Sequence, residues 1–306
     1  MTITHLVTHS GGFHADELLS SVILTRLYPE ASVVRSRDAA VIAPGEGKII
    51  YDVGRDYDPE QRIFDHHQRP VPLREDEQPY SSFGLIWKHY GHDYLRALDV
   101  PEADVDDIHR SFDKGFVLPI DLIDNGALEP SVAGPLAGLT LSALLESLKP
   151  AFDDDAPGAD DHAFAAALGV ARAFVEAAIR GRAGKRRAET MVLSAIEAAG
   201  DGRVLELPRG MPFRSAVEKA GADHLLFVIH PRNDDWVLTT IRKSGDSFES
   251  RADLPEPWAG LTDGALEEAS GVPGAKFCHN ARFIAVTDSR EAIGRLADLA
   301  VAAASA

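Results

Sequence analysis

Histidines and aspartates crowd four places in the first 124 residues. His9, His14 and Asp16 flank a Gly-Gly pair, Asp52 precedes Val53-Gly54, and Asp65, His66 and His67 are consecutive. Asp121 and Asp124 close the segment FVLPIDLIDNG. Imidazole and carboxylate together suit Mn²⁺, Co²⁺, Fe²⁺ or Zn²⁺ better than Ca²⁺. No cysteine stands near them, which argues against a thiolate zinc site. Two such ions about 3.5–4 Å apart meet the needs of phosphoester hydrolysis near neutral pH: they lower the pKa of bound water and clamp the phosphoryl oxygens. A bridging ligand needs a short carboxylate at a rigid strand tip, and Asp52 fits. Glycines 11 and 12 would let the backbone approach ions and substrate.

Singly, each piece has an ordinary reading as a loop or a turn. Their coincidence carries the metal reading, because seven ligand-type residues fall within 67 positions, all at predicted strand ends.

The elements that position them follow from the pattern. Ile3 to Thr8, Ser32 to Val34, Lys48 to Val53 and the short piece Ile63-Phe64 read as strands, each running into one of these clusters or a turn. A helix is expected from Ala15 to Tyr28, ended by Pro29, with others over Ser81 to His89 and Glu102 to Phe112. Strands alternating with helices predict an α/β fold, a parallel sheet with its active loops beyond the strands' carboxyl ends. The acidic run AFDDDAPGADD reads as a loop, and an alanine-rich helix from about His162 to Ala199 follows it. Strands at Arg203 to Leu207, Leu225 to His230, Val237 to Arg242 and Phe283 to Val286 come next, with helices near Leu261 to Ala269 and after Ser289. Residues 1–160 are expected to form the catalytic domain, 161–199 a connecting helix, and 200–306 a smaller α/β substrate domain.

The chain has 306 residues, a formal net charge of −17, 45% apolar residues and one cysteine, Cys278. This is the balance of a globular protein without disulfides, expected in the cytoplasm. An unbroken apolar run of about 18 residues is not apparent, so no membrane partner is expected. The acidity gives no general affinity for polyanions, yet a metal centre and a local basic patch would override it at close range. The densest such patch is Arg180, Arg182, Lys185, Arg186 and Arg187. Among the aromatics, Phe13 lies between ligand positions and is a candidate to stack a base, whereas Phe83, Trp87 and Trp258 read as core.

The wording of these motifs resembles the DHH phosphoesterase superfamily, which includes RecJ-type exonucleases, oligoribonucleases and manganese-dependent pyrophosphatases. THSGGFHADE, VVRSRD, YDVGRDYDP and FDHHQR are similar to one branch, the melanocyte-proliferating-gene-one (MYG) exonucleases, as are IDLIDNG, FESRADLPEPWAGL and SGVPGAKFCHNARFIA. The resemblance covers essentially the whole chain. It implies two divalent ions, Mn²⁺ first, with Mg²⁺, Co²⁺ or Zn²⁺ as alternatives. It implies His9 and His14 as first-loop ligands, Asp16 on the other ion, Asp52 as the bridge and His66 as a ligand that Asp65 orients. His67 would contact the scissile phosphate, and Asp124, with Asp121 as the alternative, would supply the last carboxylate. Arg37 would hold a phosphate, its ordinary alternative being a surface ion pair.

The carboxyl-terminal part resembles the DHH-associated domain but reads FIAVTDSR where many relatives carry a Gly-Gly-His turn. Arg251, Lys276 and His279 are then the candidates for substrate contact. The implied activity is 3′-to-5′ exonuclease action on RNA or short oligonucleotides; hydrolysis of small phosphorylated metabolites or pyrophosphate is the rival, and a non-catalytic metal-stabilised binding protein a third reading. The oligomeric state is left open, a homodimer included.

Overall fold

The computed structural model describes residues 2–244 and 247–305. The chain divides into two compact units, one closing at Ala183 and the other opening at Gly184. The first contains β1 (His5–Thr8), α1 (Ala15–Leu27), β2 (Ser32–Arg35), α2 (Ala39–Ile42), β3 (Lys48–Tyr51), β4 (Tyr57–Asp58) and β5 (Ile63–Phe64). After these come α3 (Ser82–Ala97), α4 (Glu102–Phe112), α5 (Leu118–Asp124), α6 (Leu141–Glu146) and the first part of α7 (Ala159–Ala199).

Its sheet runs in the order β2-β1-β3-β5-β4. Strands β2, β1, β3 and β5 are parallel, and β4 closes the edge antiparallel. Both faces are covered, so the strands are apolar at successive positions instead of alternating with polar residues. Leu6, Ile49, Tyr51 and Phe64 face the main core, while Val7, Ile50 and Ile63 face a smaller cluster with Val34, Val41 and Ile42. Helix α1 is buried at every position from Ala15 to Leu24. It therefore lies inside the unit, with no wet face along that stretch. Helix α3 runs past His89 to Ala97, eight residues beyond the predicted end. Gly91 permits this, since a Cβ there would strike the rings of His109 and Trp87.

The segment holding Asp121 and Asp124 is helical. A π-turn over Asp113–Val117 leads into α5, with Pro119 in its first turn, where a missing N–H costs nothing. One 18-residue window of α7 is long and apolar enough to cross a membrane by length and composition. Arg172 and Glu176 interrupt it, so it is not an unbroken apolar run, and alanines supply much of its apolarity. In the fold its stripe Phe164, Ala167, Ala171, Val175 and Ile179, spaced by three or four, is buried in the core.

The second unit has β6 (Val204–Glu206), α8 (Arg214–Lys219), β7 (Phe227–Arg232), β8 (Asp235–Thr240), α9 (Asp263–Ser270), β9 (Ala275–Cys278), β10 (Ile284–Thr287) and α10 (Arg290–Ala304). Its sheet order is β6-β7-β8-β10-β9, parallel only between β6 and β7. Phe227, Leu238 and Ala285 share one core with Ile293 and Leu296 of α10; Leu205, Val228 and Ile241 share another with Val192 and Val217. Trp258 and Cys278 are buried here, and burial pushes the Cys278 thiol up to about 11, so it is no nucleophile at neutral pH. Ser289 caps α10 through Ala292 N–H (3.3 Å).

Candidate metal centre

Parallel strands end on one edge of the sheet, and the chain turns there into each motif. His9 follows β1, Arg37 follows β2, Asp52 follows β3 and Asp65 follows β5. Asp52 has φ +53°, uncommon for a residue other than glycine, though aspartate tolerates it. The turn that Gly54 completes (φ +111°) thus holds the Asp52 carboxylate beyond the strand tip. Gly11 (φ +91°) needs its missing side chain for the same reason, whereas Gly12 meets no constraint beyond Lys149 at 4.0 Å. The side chain of Arg35 anchors this loop by donating to the Gly11 carbonyl and to Asp161.

The sequence-predicted ligands meet around a cleft of about 1070 Å³ that His9, His14, Asp16, Asp52, His66, His67 and Asp124 line together. Asp52 stands at its centre. Its Oδ2 is 3.2 Å from His9 Nε2, and its Oδ1 is 3.4 Å from His66 Nε2. His66 Nε2 is also 3.2 Å from Asp124 and 3.8 Å from Asp16. Asp16, His66 and Asp124 offer ligand atoms within 4.8 Å of one another, as do Asp52, His66 and His67, and His9, His14 and Glu17. His14 is exposed, its ring 5.9 Å from that of His9.

Asp121 is elsewhere. Arg74 (2.6 Å) and Ser81 (2.7 Å) take its two oxygens, and Gly84 leaves it room where a Cβ would collide with the carboxylate. Of the two aspartates in that helix, Asp124 alone stands beside His66.

Asp65 is a scaffold. It accepts from Arg55 N–H (2.6 Å), His66 N–H (2.7 Å) and His67 Nδ1 (2.7 Å). The His67 side chain remains 58% exposed, with Nδ1 held from behind and Nε2 directed away from Asp65. Arg37 donates to the Ser10 carbonyl (3.0 Å), and its Nη2 lies 3.1 Å from His9 Nδ1 at the cleft wall.

Two participants escaped the sequence reading. Glu17 is fully buried, accepts from His14 N–H (2.8 Å) and lies 3.0 Å from His9 Nε2. Its signal was present: it is the third helical residue after His14, the capping-box position. Asn125 Oδ1 is 3.3 Å from His66 Nδ1, and its amide donates to the Asp121 carbonyl (2.9 Å). A proton kept on Nδ1 leaves Nε2 as the ligating atom.

The electrostatics call for a cation. Burial, then the neighbouring charges of Asp124, Asp52 and Glu17, push Asp16 well above the usual carboxylate range. Burial likewise raises Asp124, against the pull of His66. Burial would lower His9 and His66, but the carboxylates overcome it: Asp52 and Glu17 bring His9 to about 10, and Asp52 and Asp124 bring His66 to about 9. Burial would raise Asp52, yet the charges of the adjacent His66 and His9 imidazoles, 3.4 and 3.2 Å away, hold it down at about 2. Both oxygens of Asp16, Asp52 Oδ1 and His66 Nε2 are buried without a hydrogen-bond partner. Buried polar atoms rarely go unpaired, and these orphans converge on one point with the donor types a divalent ion takes. The residues fit a metal.

Several expected contacts take other places. Phe13 is fully buried, edge-on to Phe164, and cannot stack a base. Phe83 and Trp87 are core, as the sequence reading has them. Arg251 is tied to the carbonyls of Ala222 (2.7 Å) and Leu225 (3.0 Å) and to Asp223, an internal strut rather than a substrate contact. Lys276 is paired with Asp235 (2.6 Å), and His279 Nδ1 accepts from Ala281 N–H (3.0 Å). On α7, Arg180 pairs with Glu176, Arg186 contacts Glu189, and Arg182 lies over Phe112 while donating to the carbonyls of Ala178 and Ser111. Much of that basic patch thus has intramolecular partners.

Relatives bear on this geometry. The MYG1 exonuclease model, described as "Uncharacterised protein family (UPF0160)", matches residues 5–301. MYG1 exonuclease of Rattus norvegicus is 33% identical, with 93% of this chain and 81% of that one covered. For MYG1 exonuclease of Homo sapiens the figures are 32%, 93% and 82%. The MYG1 protein of Saccharomyces cerevisiae is 32% identical, with 97% and 95% covered. Among solved structures, exonuclease RecJ bound to manganese is 14% identical, with 97% of this chain and 90% of that one covered, at a TM-score of 0.26. A family match spanning nearly the whole length and relatives above 30% identity place the chain in the MYG1 exonuclease family, and so among the phosphoesterases of nuclease type.

Proposed function

We propose that this chain hydrolyses phosphodiesters at the ends of RNA or short oligonucleotides, 3′ to 5′, with two divalent ions held by His9, His14, Asp16, Asp52, His66 and Asp124. One observation carries the reading: the two oxygens of Asp52 turn to different histidines, 3.2 Å from His9 and 3.4 Å from His66, the posture of a carboxylate shared between two positions. When bound, such ions supply an activated water and neutralise the phosphoryl oxygens. Mn²⁺ is the ion we favour, because mixed imidazole and carboxylate donors suit it.

The chain's own residues do the rest. Asp65 holds His67 by Nδ1, so that the outer ring nitrogen donates to a phosphate oxygen arriving from solvent. The Asp65 contact keeps His67 protonated above its usual range, which favours that donation. Arg37 at the cleft wall offers guanidinium N–H groups to a second phosphate. Glu17 and Asn125 fix the imidazoles on either side.

Incubation with end-labelled short RNA, pyrophosphate and nucleoside monophosphates in Mn²⁺ tests the proposal. It expects stepwise shortening of the RNA from its 3′ end and loss of that activity in Asp52→Ala. Turnover of pyrophosphate or monophosphates alone would replace it with a small-metabolite phosphatase.

A further inference from the structure

The second unit contains a pocket of about 660 Å³ that includes none of the metal-centre residues. One wall is formed beyond β8, where Arg242 bridges to Ser250 and Lys243 N–H donates to the Glu249 carbonyl (2.9 Å). Phe283, just before β10, and Arg214, the first residue of α8, complete it.

The acids that line this pocket are engaged. Glu249 pairs with Lys243 (2.9 Å), and Asp253 pairs with Arg282 (3.1 Å). Arg214 and Arg242 have no carboxylate partner among the described residues. Instead their guanidiniums lie over rings, Arg242 at 4.5 Å from the centroid of Phe248 and Arg214 at 5.8 Å from that of Phe213. Arg214 also feels the like charge of Arg242, which with burial lowers its affinity for its own proton. Two guanidiniums line one cavity with no ion-pair partner of their own among the described residues, and they favour an anion with planar, multidentate oxygens.

The aromatic side chains narrow the choice. Phe248 is 87% exposed and Phe283 is 41% exposed, both at the pocket. A bare anion has no use for two wet phenyl rings. A ligand with a flat base beside a phosphate uses both features, and base-on-aromatic stacking next to arginine is how single strands are held without sequence preference.

The geometry points to this pocket as a binding site for a nucleotide unit of single-stranded nucleic acid, with Phe248 stacking the base and Arg214 and Arg242 holding the phosphates. The choice of an oligonucleotide over other ring-bearing anions rests on the nuclease reading above; the pocket does not depend on the metal centre. Arg251, Lys276 and His279, the candidates that sequence suggested in this unit, do not line it.

The test is fluorescence anisotropy of the full chain with a labelled five-nucleotide oligoadenylate in EDTA, where the metal centre cannot contribute. Arg214→Ala with Arg242→Ala should weaken binding at least tenfold and flatten the salt dependence, log K against log[salt], by about 1.4, two phosphate contacts at about 0.7 each. Arg214→Lys with Arg242→Lys should keep the salt slope, which separates lost charge from lost fold. Phe248→Ala should weaken binding at least about fivefold at an unchanged slope. Parental affinity in the double alanine variant overturns the assignment, as does competition by inorganic phosphate equal to that by adenosine monophosphate. Retained binding in a protein that never cleaves RNA would sink the nuclease reading and leave this site standing; Asp52-dependent cleavage with binding indifferent to both arginines would do the reverse.

Discussion

Asp16→Asn should raise the stability of the metal-free protein while removing its response to metal. Both Asp16 oxygens are buried and unpaired, among Asp52, Glu17 and Asp124. Without an ion this carboxylate costs stability, since a buried polar group left unmade costs about 1–3 kcal/mol and a charge more. The sign follows from titration. An acid held in the folded state well above its usual 3.8 subtracts stability as pH rises past that value, because the unfolded chain ionises it freely. Asparagine does not titrate, so the advantage should be absent near pH 4 and grow as pH rises. For a unit of this size, about 2–4 °C of Tm accompanies each kcal/mol, which gives a gain of about 2–12 °C in EDTA. The parent should respond oppositely: Mn²⁺ at a hundred times its Kd adds about 2.7 kcal/mol, or about 5–11 °C, to the first unit's transition. Differential scanning calorimetry in EDTA and in Mn²⁺, at pH 5 and pH 8, reads all of this. A variant less stable than the parent in EDTA at pH 8 that still gains the full Mn²⁺ shift would refute the reasoning.

Three further outcomes follow from single contacts. Asn125→Ala frees the His66 ring, and titration calorimetry should show Mn²⁺ bound about 10–100-fold more weakly with the fold intact; a change under threefold would remove Asn125 from the site. Asp65 is the first cause of the raised His67 pKa, so Asp65→Asn should move the alkaline fall of kcat/KM to lower pH; an unmoved limb would show that His67 is not the donor. Phe13 is core against Phe164, so Phe13→Ala should cost about 3–5 kcal/mol of stability, with little effect on KM for RNA at a temperature where the variant is folded. A large KM effect in a protein of parental Tm would reinstate base stacking.

The sheet edge was the legible part of this molecule. Short apolar runs ending in His9, Asp52 and Asp65 could only be strands leading into loops, and parallel strands put such loops together. Asp124 was harder, because VLPIDLI is apolar at almost every position and has neither helical nor strand period; the proline at the start of α5 was the better guide. The two-residue β4 and the four-residue β9 are defined by their partners more than by their own sequence. Glu17 was hidden by its double use, a capping-box acid that also faces His9. In the second unit, nothing in a list of cations tells Arg251, whose guanidinium holds two carbonyls, from Arg242, whose guanidinium faces a pocket. That distinction is set by the register beyond β8, which local sequence specifies weakly.

An anomalous-difference map from crystals grown with Mn²⁺ addresses the metal centre directly. It should show two peaks about 3.5–4 Å apart on either side of Asp52, one toward His9 and one toward His66, Asp16 and Asp124. A map without density among these side chains, or with its only manganese bound elsewhere, would contradict the account.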